Sequence, residues 1–64
     1  MLFPKSMVHA FYTSYRYSGQ RTGQQFYNFM QLHKCSDREL CDKIYELDGL
    51  DFVNFIQTVI DWEN

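Results

Sequence analysis

Three turn signals divide the sequence into four short segments, and this division constrains the fold more than any other feature. The signals are Ser18-Gly19-Gln20, Lys34-Cys35-Ser36 and Asp48-Gly49-Leu50. Glycine and small polar residues of this kind favour turns and helix ends. Within each segment the apolar residues recur three and four positions apart, which is the spacing of one helix face. The sequence therefore predicts an all-α fold, a compact bundle of three or four short helices.

The first segment predicts an amphipathic helix over about residues 6–17. Its apolar face carries Met7, Val8, Phe11, Tyr12 and Tyr15. The opposite face is neutral to basic and carries His9, Thr13 and Arg16. We expect this helix to stop at Ser18-Gly19, because glycine readily adopts the left-handed conformation that ends helices.

The second segment predicts a helix that begins with a capping box, in which Thr22 is the N-cap and Gln25 completes the motif. The face predicted to be buried carries Phe26, Phe29, Met30 and His33. Gly23 falls in the first turn, although glycine in a helix interior costs up to about 1 kcal/mol relative to alanine. We therefore expect another backbone or ring to press closely against Gly23.

The third segment predicts a helix with a second capping box in Ser36-Asp37-Arg38-Glu39, whose acids suit the positive end of the helix dipole. Glu39 and Lys43 have the spacing of a favourable ion pair on one helix face. The predicted buried stripe is Leu40, Cys41, Ile44 and Leu47.

The fourth segment is the most hydrophobic, and we predict that it is the central packing helix, capped by Asp51. Its apolar residues are Phe52, Val53, Phe55, Ile56, Val59, Ile60 and Trp62. The several β-branched residues leave a strand as the alternative. The helical spacing favours the helix.

The 64 residues predict a single small helical domain over 1–64. A chain of this size buries only about 60% of the surface that its unfolded form exposes. Its six Phe, five Tyr and one Trp supply large core side chains, each burying roughly 150–250 Å². Because the apolar content is high for so small an interior, a homodimer is a further expectation.

The two cysteines, Cys35 and Cys41, are too few for a disulfide scaffold of the secreted kind. The N-terminal residues lack a charged leader with an apolar export stretch, and no run approaches the ~20 apolar residues of a membrane span. We therefore expect a soluble cytoplasmic protein that does not contact a membrane and needs no cofactor.

The net charge of −2 hides an uneven distribution along the chain. Residues 1–34 carry +4 and contain no acid, whereas residues 35–64 carry −6. Such asymmetry indicates either a polar partner surface or internal docking of one half on the other. For internal docking, we predict that Trp62 covers Gly23 while Asp61 reaches Arg21.

Metal binding and catalysis find little support in the residue pattern. His33, Cys35 and Cys41, with His9 at a distance, lack the Cys-x2-4-Cys pair of structural zinc sites. A nucleophile pair of Cys35 with His33 or His9 is disfavoured. Residues two apart rarely face each other on a helix, no Asn or Asp is identifiable that would orient the histidine, and so small a domain has little room for a substrate cleft. We expect neither a metal site nor an enzyme.

Two candidate contact surfaces remain after the core residues are assigned. The first is an amide strip with a neighbouring cation, formed by Arg21, Gln24, Asn28 and Gln31. The second is an aromatic and cationic edge formed by Tyr12, Arg16 and Tyr17. Aromatic residues interleaved with cations can also stack on bases and contact phosphates. Four cations in the basic half neutralise few phosphates, so nucleic-acid binding is the alternative to a protein partner.

The run Arg21-Thr22-Gly23-Gln24-Gln25-Phe26-Tyr27-Asn28, followed by an acidic stretch and Trp62, resembles a set of very small proteins encoded by phages and prophages. Their shared pattern is Arg-x-Gly-Gln-x-Phe-x-Asn with a later tryptophan, and the resemblance covers about residues 21–62. It implies no catalytic residue. It implies an accessory protein that acts in the cytoplasm of an infected bacterium by binding a host or viral macromolecule.

Together these observations predict a non-enzymatic interaction protein. Its partner is expected to be a host or viral protein, or a second copy of the chain. The alternative is a small nucleic-acid-binding domain that uses the basic, aromatic N-terminal half.

Overall fold

The computed structural model describes residues 2–16 and 19–63, and these form four α-helices. The helices are α1 (Lys5–Ser14), α2 (Thr22–Phe29), α3 (Arg38–Glu46) and α4 (Gly49–Ile56), with 3-10 turns at Leu32–Lys34 and Gln57–Val59. Two-residue strands, β1 (Phe3–Pro4) and β2 (Ile60–Asp61), pair in parallel. The predicted all-α class is confirmed. The short parallel strand pair is an addition that the sequence did not predict.

A cluster of phenylalanine rings around Phe26 forms the centre of the core. The Phe26 side chain has no exposed surface. Its ring lies 5.2 Å from Phe3 and 5.1 Å from Phe11, nearly perpendicular to both, and 5.4 Å from Phe52. Edge-to-face packing of this kind adds to the stabilisation that area burial alone provides. Rings from β1, α1, α2 and α4 therefore meet at one point.

Gly23 is where the backbones of α2 and α3 come into contact. Its N–H donates a hydrogen bond of 2.9 Å to the carbonyl oxygen of Leu47. A Cβ atom at this position would overlap the carbonyl oxygen of Ile44. The expectation that a backbone presses on Gly23 is confirmed. The prediction that Trp62 covers it is wrong, because carbonyl groups of α3 and its C-cap occupy that place.

Asp48 organises the starts of two helices. Its Oδ1 accepts hydrogen bonds from the Thr22 N–H at 2.9 Å, the Thr22 hydroxyl at 3.1 Å and the Gly49 N–H at 2.9 Å. Thr22 is thus the first residue of α2 and not its N-cap, which is Arg21. Asp48 is also the N-cap of α4, so the prediction of Asp51 in that role is wrong.

Helix α3 begins one residue later than its predicted capping box implies. Asp37 is the N-cap, and its carboxylate accepts the Leu40 N–H at 3.2 Å. The predicted stripe is confirmed, with Cys41 and Ile44 fully buried and Leu40 and Leu47 packed beside them. Lys43, predicted to pair with Glu39, has its ammonium 4.8 Å from the centre of the Phe55 ring.

The first and the last helix, α1 and α4, are shorter than predicted. Helix α1 ends at Ser14 instead of continuing to residue 17, and the chain is extended at Tyr15. Helix α4 gives way at Gln57 to a 3-10 turn, and Ile60 then pairs with Phe3 in the parallel strands. The prediction of an uninterrupted helix to Trp62 is therefore wrong. The strand alternative applies to Ile60–Asp61.

We predict that Gly23→Ala lowers the free energy of unfolding by about 3 kcal/mol, because the added methyl group forces α2 and α3 apart. Urea unfolding measures this loss. The matched control is Gly19→Ala, where a methyl group meets open space but the backbone has a φ of +82°. That variant should lose about 1 kcal/mol through backbone strain alone. Equal losses in the two variants would contradict close helix contact at Gly23.

A second prediction concerns acid stability, because hydrogen bonds from Thr22 and Gly49 lower the pKa of Asp48 below its ordinary value. This contribution is complete above the pKa of an unfolded aspartate, about 3.9. It is lost as the pH falls through the lower pKa of the folded state. We therefore expect the stability difference between the wild type and Asp48→Ala to shrink from pH 5 downward, by urea unfolding across a pH series.

The control for this measurement is Asp51→Ala, which removes an acid from the same end of α4 without touching Thr22. A difference between wild type and Asp48→Ala that stays constant from neutral pH to about pH 2 would contradict the capping role of the carboxylate.

Candidate protein-interaction surface

Two adjoining apolar clefts share Tyr12 as a common wall. The larger has a volume of about 320 Å³ and the smaller about 170 Å³. We call their combined surface the Tyr12 face. The larger cleft is lined by Tyr12, Tyr15, Thr22, Gly49, Leu50 and Val53. The smaller is lined by Lys5, Val8, His9, Tyr12, Ile60 and Trp62.

Tyr12 is held in place by the aromatic core beneath it. It follows the buried Phe11 on α1, and its ring lies 5.7 Å from Phe11 and 6.5 Å from Phe52. The remaining 42% of its surface is exposed. Partial burial raises the pKa of the Tyr12 hydroxyl. The phenol therefore stays neutral at physiological pH, and the Tyr12 face gains no negative charge from it.

Leu50 and Trp62 give the Tyr12 face its most exposed apolar surface. Leu50 is 76% exposed and Trp62 is 59% exposed. On α4, Leu50 precedes the buried Phe52 by two residues, which places it about 200° around the helix and away from the core. The indole N–H of Trp62 donates to the Gln57 carbonyl at 3.2 Å. This bond satisfies the polar atom of Trp62 and leaves its apolar rings facing outward.

The amide strip predicted on α2 is divided by the end of that helix. Gln24 and Asn28 lie one turn apart on α2, Gln24 half-buried and Asn28 exposed. Gln31 lies beyond the helix end, in a left-handed conformation with a φ of 56°. It therefore does not continue the row along α2. A non-glycine residue in this conformation is uncommon, and here it redirects the chain into the Leu32–Lys34 turn.

Arg21, the cation predicted beside that strip, docks on α3. Its Nε donates to the Tyr45 carbonyl at 3.4 Å, and its guanidinium lies 5.3 Å from the centre of the Tyr45 ring. The Tyr45 ring meets Tyr27 at 5.1 Å. Arg38 lies over Tyr27 at 5.8 Å and pairs with Asp42 at 2.7 Å. In addition to the bonds of Thr22 and Gly23, the basic half thus contacts the acidic half through these rings and the Tyr45 carbonyl.

The aromatic and cationic edge is brought together only in part. Because α1 ends at Ser14, Arg16 does not share a helix face with Tyr12. The Arg16 guanidinium instead donates to the Tyr15 carbonyl at 2.9 Å and remains exposed. Tyr17 lies outside the described residues. Of the two described members of this predicted group, Tyr12 lines both clefts of the Tyr12 face.

The described residues contain no group of three or more His, Cys, Asp and Glu side chains that could hold a metal ion. His9 lies in the smaller cleft of the Tyr12 face, while Cys35 lines a different cleft. Both cysteines are free of disulfide bonds.

The chain matches no protein-family model, no curated protein and no solved structure. None of the helices in the described ranges has the length and apolar character required to traverse a bilayer.

Leu50 and Trp62 are surface residues that were not predicted from the sequence. For Leu50 a signal was present, since its angular distance from Phe52 and Ile56 separates it from the buried stripe of α4. Trp62 has helical spacing from the other apolar residues of the fourth segment, which was predicted to be one continuous helix. Its position depends on the change from helix to strand before Ile60, which the spacing did not show.

Proposed function

We propose that this chain is a non-enzymatic interaction protein that binds a protein partner through the Tyr12 face. The observation that carries the proposal is the concentration of exposed Leu50, Trp62 and Tyr12 around two adjoining clefts. Single exposed apolar residues are ordinary, but a contiguous apolar surface with concave features is typical of binding sites. Aromatic side chains also contribute strongly to protein interfaces.

The charge of the clefts defines the chemistry of the partner. Among the described lining residues, Lys5 supplies a positive charge and His9 a polar ring, whereas no carboxylate lines either cleft. Helix α1 as a whole contains no acid. A partner segment that places an apolar side chain in a cleft and an Asp or Glu near Lys5 fits this surface.

The biological setting is part of the same proposal. The similarity of residues 21–28 to the small phage and prophage proteins supports an accessory role in the cytoplasm of an infected bacterium. The partner would then be a protein of the host or of the virus. Helix α2, which carries this motif, lies beside the larger cleft through Thr22.

We predict that Leu50→Glu weakens partner binding at least tenfold, which corresponds to about 1.4 kcal/mol. The substitution removes an exposed apolar anchor and places a charged group in an apolar cleft, where binding would strip that charge of water. The wild type is immobilised to retain proteins from a bacterial lysate. Each retained protein is then purified. Calorimetry measures its affinity for the wild type and for Leu50→Glu.

The matched control is Leu2→Glu, because Leu2 is 57% exposed but lines another cleft. A partner whose affinity falls with Leu50→Glu and not with Leu2→Glu supports the Tyr12 face. Equal affinity for all three proteins contradicts it. If Gln24→Ala and Asn28→Ala lower the affinity and Leu50→Glu does not, the contact is assigned to the amide strip. If light scattering shows a dimer that Leu50→Glu dissociates, the partner is a second copy of the chain.

A further prediction separates this proposal from nucleic-acid binding. Three of the six Lys and Arg side chains, those of Arg21, Arg38 and Lys43, lie over aromatic rings of the chain itself. We therefore expect no binding to random single-stranded or duplex DNA and RNA at about 50 mM salt. Fluorescence anisotropy measures the binding of each nucleic acid to the protein. Binding that falls steeply as salt increases would favour the nucleic-acid alternative.

A further inference from the structure

The two clefts of the Tyr12 face follow one another along α1. The residues of α1 that line the smaller cleft are spaced three and four apart and share one helix face; they are Lys5, Val8, His9 and Tyr12. The larger cleft continues past Tyr12 to Tyr15, just beyond the end of the helix. One wall of the face is therefore a single stripe of α1, and its length from Lys5 to Tyr12 is roughly 10 Å.

A second wall comes from the later part of the chain. The first turns of α4 contribute Gly49, Leu50 and Val53 to the larger cleft. The smaller cleft is completed by Ile60 and Trp62. An elongated groove therefore runs between α1 and the segment that contains α4 and β2. Such a groove can receive one further helix, because helices pack about 8–10 Å from their neighbours by inserting side chains between theirs.

The groove offers few polar groups to the backbone of a bound segment. The Thr22 hydroxyl, in the larger cleft, donates to the Asp48 carboxylate at 3.1 Å and accepts the Gly49 N–H at 3.3 Å. The indole N–H of Trp62 donates to the Gln57 carbonyl oxygen at 3.2 Å. These lining groups are therefore already engaged in hydrogen bonds within the chain.

This shortage of hydrogen-bond partners favours one conformation of the occupant. Each residue of an extended peptide carries a backbone N–H and C=O, which cost free energy when they are buried without hydrogen bonds. An α-helix satisfies these groups internally and presents side chains to the groove. Apolar residues at positions i, i+4 and i+7 of such a helix lie on one face. They can therefore enter the two clefts on either side of Tyr12.

Lys5 determines the charge that the occupant should carry. It is the first residue of α1, so it lies at one end of the stripe. A cation at this position is unfavourable for α1 itself, because the helix dipole favours acids in the first turn. That turn contains no acid, and no carboxylate of the described residues lines either cleft. An acidic residue of the partner would give Lys5 a counter-ion.

We propose that the partner docks on the Tyr12 face as an amphipathic α-helix, with apolar residues in both clefts and an Asp or Glu paired with Lys5. This inference rests on the proposed function, because it describes how a partner occupies the same surface. It adds the conformation of the bound segment, the spacing of its apolar residues and the position of its acid. An extended segment is the alternative that the test distinguishes.

The test selects binders from a yeast-displayed library of random peptides of about 16 residues, long enough for four helical turns, on the immobilised wild type. We expect the enriched peptides to carry apolar residues three, four and seven positions apart with an acid near one end. Synthetic copies should gain helical circular dichroism when the protein is added. Their affinity should fall about tenfold for Leu50→Glu and stay unchanged for Leu2→Glu.

A charge exchange tests the pairing with Lys5. Lys5→Glu places an acid where the helix dipole favours one, so we expect the fold to be retained. It should weaken binding of the selected peptides about tenfold. Replacing the acid of a peptide with lysine should restore most of this loss. The matched control is Lys34→Glu, which should leave the affinity unchanged because Lys34 is an exposed cation that lines another cleft.

A proline placed at a central, solvent-facing position of a selected peptide tests its conformation directly. Proline breaks a helix, so this peptide should no longer bind. Unchanged binding of the proline peptide, or alternating apolar residues without a gain of helical signal, would overturn the helical occupant. If those peptides still need Leu50, the proposed function stands.

Equal affinity of helical peptides for the wild type and for Lys5→Glu would overturn the paired acid. If no selected peptide loses affinity for Leu50→Glu, the Tyr12 face is not the binding surface. That result would contradict both the helical occupant and the proposed function.

Discussion

The contact between α2 and α3 at Gly23 is the constraint on which the rest of the structure depends. The hydrogen bond from Gly23 to the Leu47 carbonyl joins the first turn of α2 to the end of α3. It places Thr22 beside Asp48, and one turn later along α2 it places Phe26 at the centre of the aromatic core. A larger residue at position 23 would separate the helices and disturb both arrangements.

This contact also explains how a chain with oppositely charged halves folds on itself. Arg21 precedes Gly23 and is brought over Tyr45, while Arg38 of the acidic half covers Tyr27. Cations over aromatic rings stabilise the interface without burying a charge. These side chains lie on α2, at its N-cap and on α3, whereas the exposed Leu50 and Trp62 belong to the later part of the chain. The internal charge contacts and the proposed binding face therefore use different side chains.

The spacing of residues within each segment predicted the parts of the fold that depend on neighbours in the sequence. The stripe with Cys41 and Ile44 and the close approach at Gly23 follow from periodicity and from the cost of glycine in a helix. The bond between Thr22 and Asp48 joins residues far apart in sequence, so capping rules based on neighbours could not find it. The same limitation applies to Trp62 and the candidate site, because pairing with β1 stops the helical pattern before Ile60.

The parallel pairing of Phe3–Pro4 with Ile60–Asp61 has a consequence for the order in which the chain folds. These residues lie at opposite ends of the described chain, so their contact closes its largest loop. Loop closure costs conformational entropy before the contact returns any stabilisation. The α2–α3 unit, whose partners are closer in sequence, is therefore expected to form before the two strands meet. Strand pairing is then the last step of folding, and it packs Phe3 against the ring of Phe26.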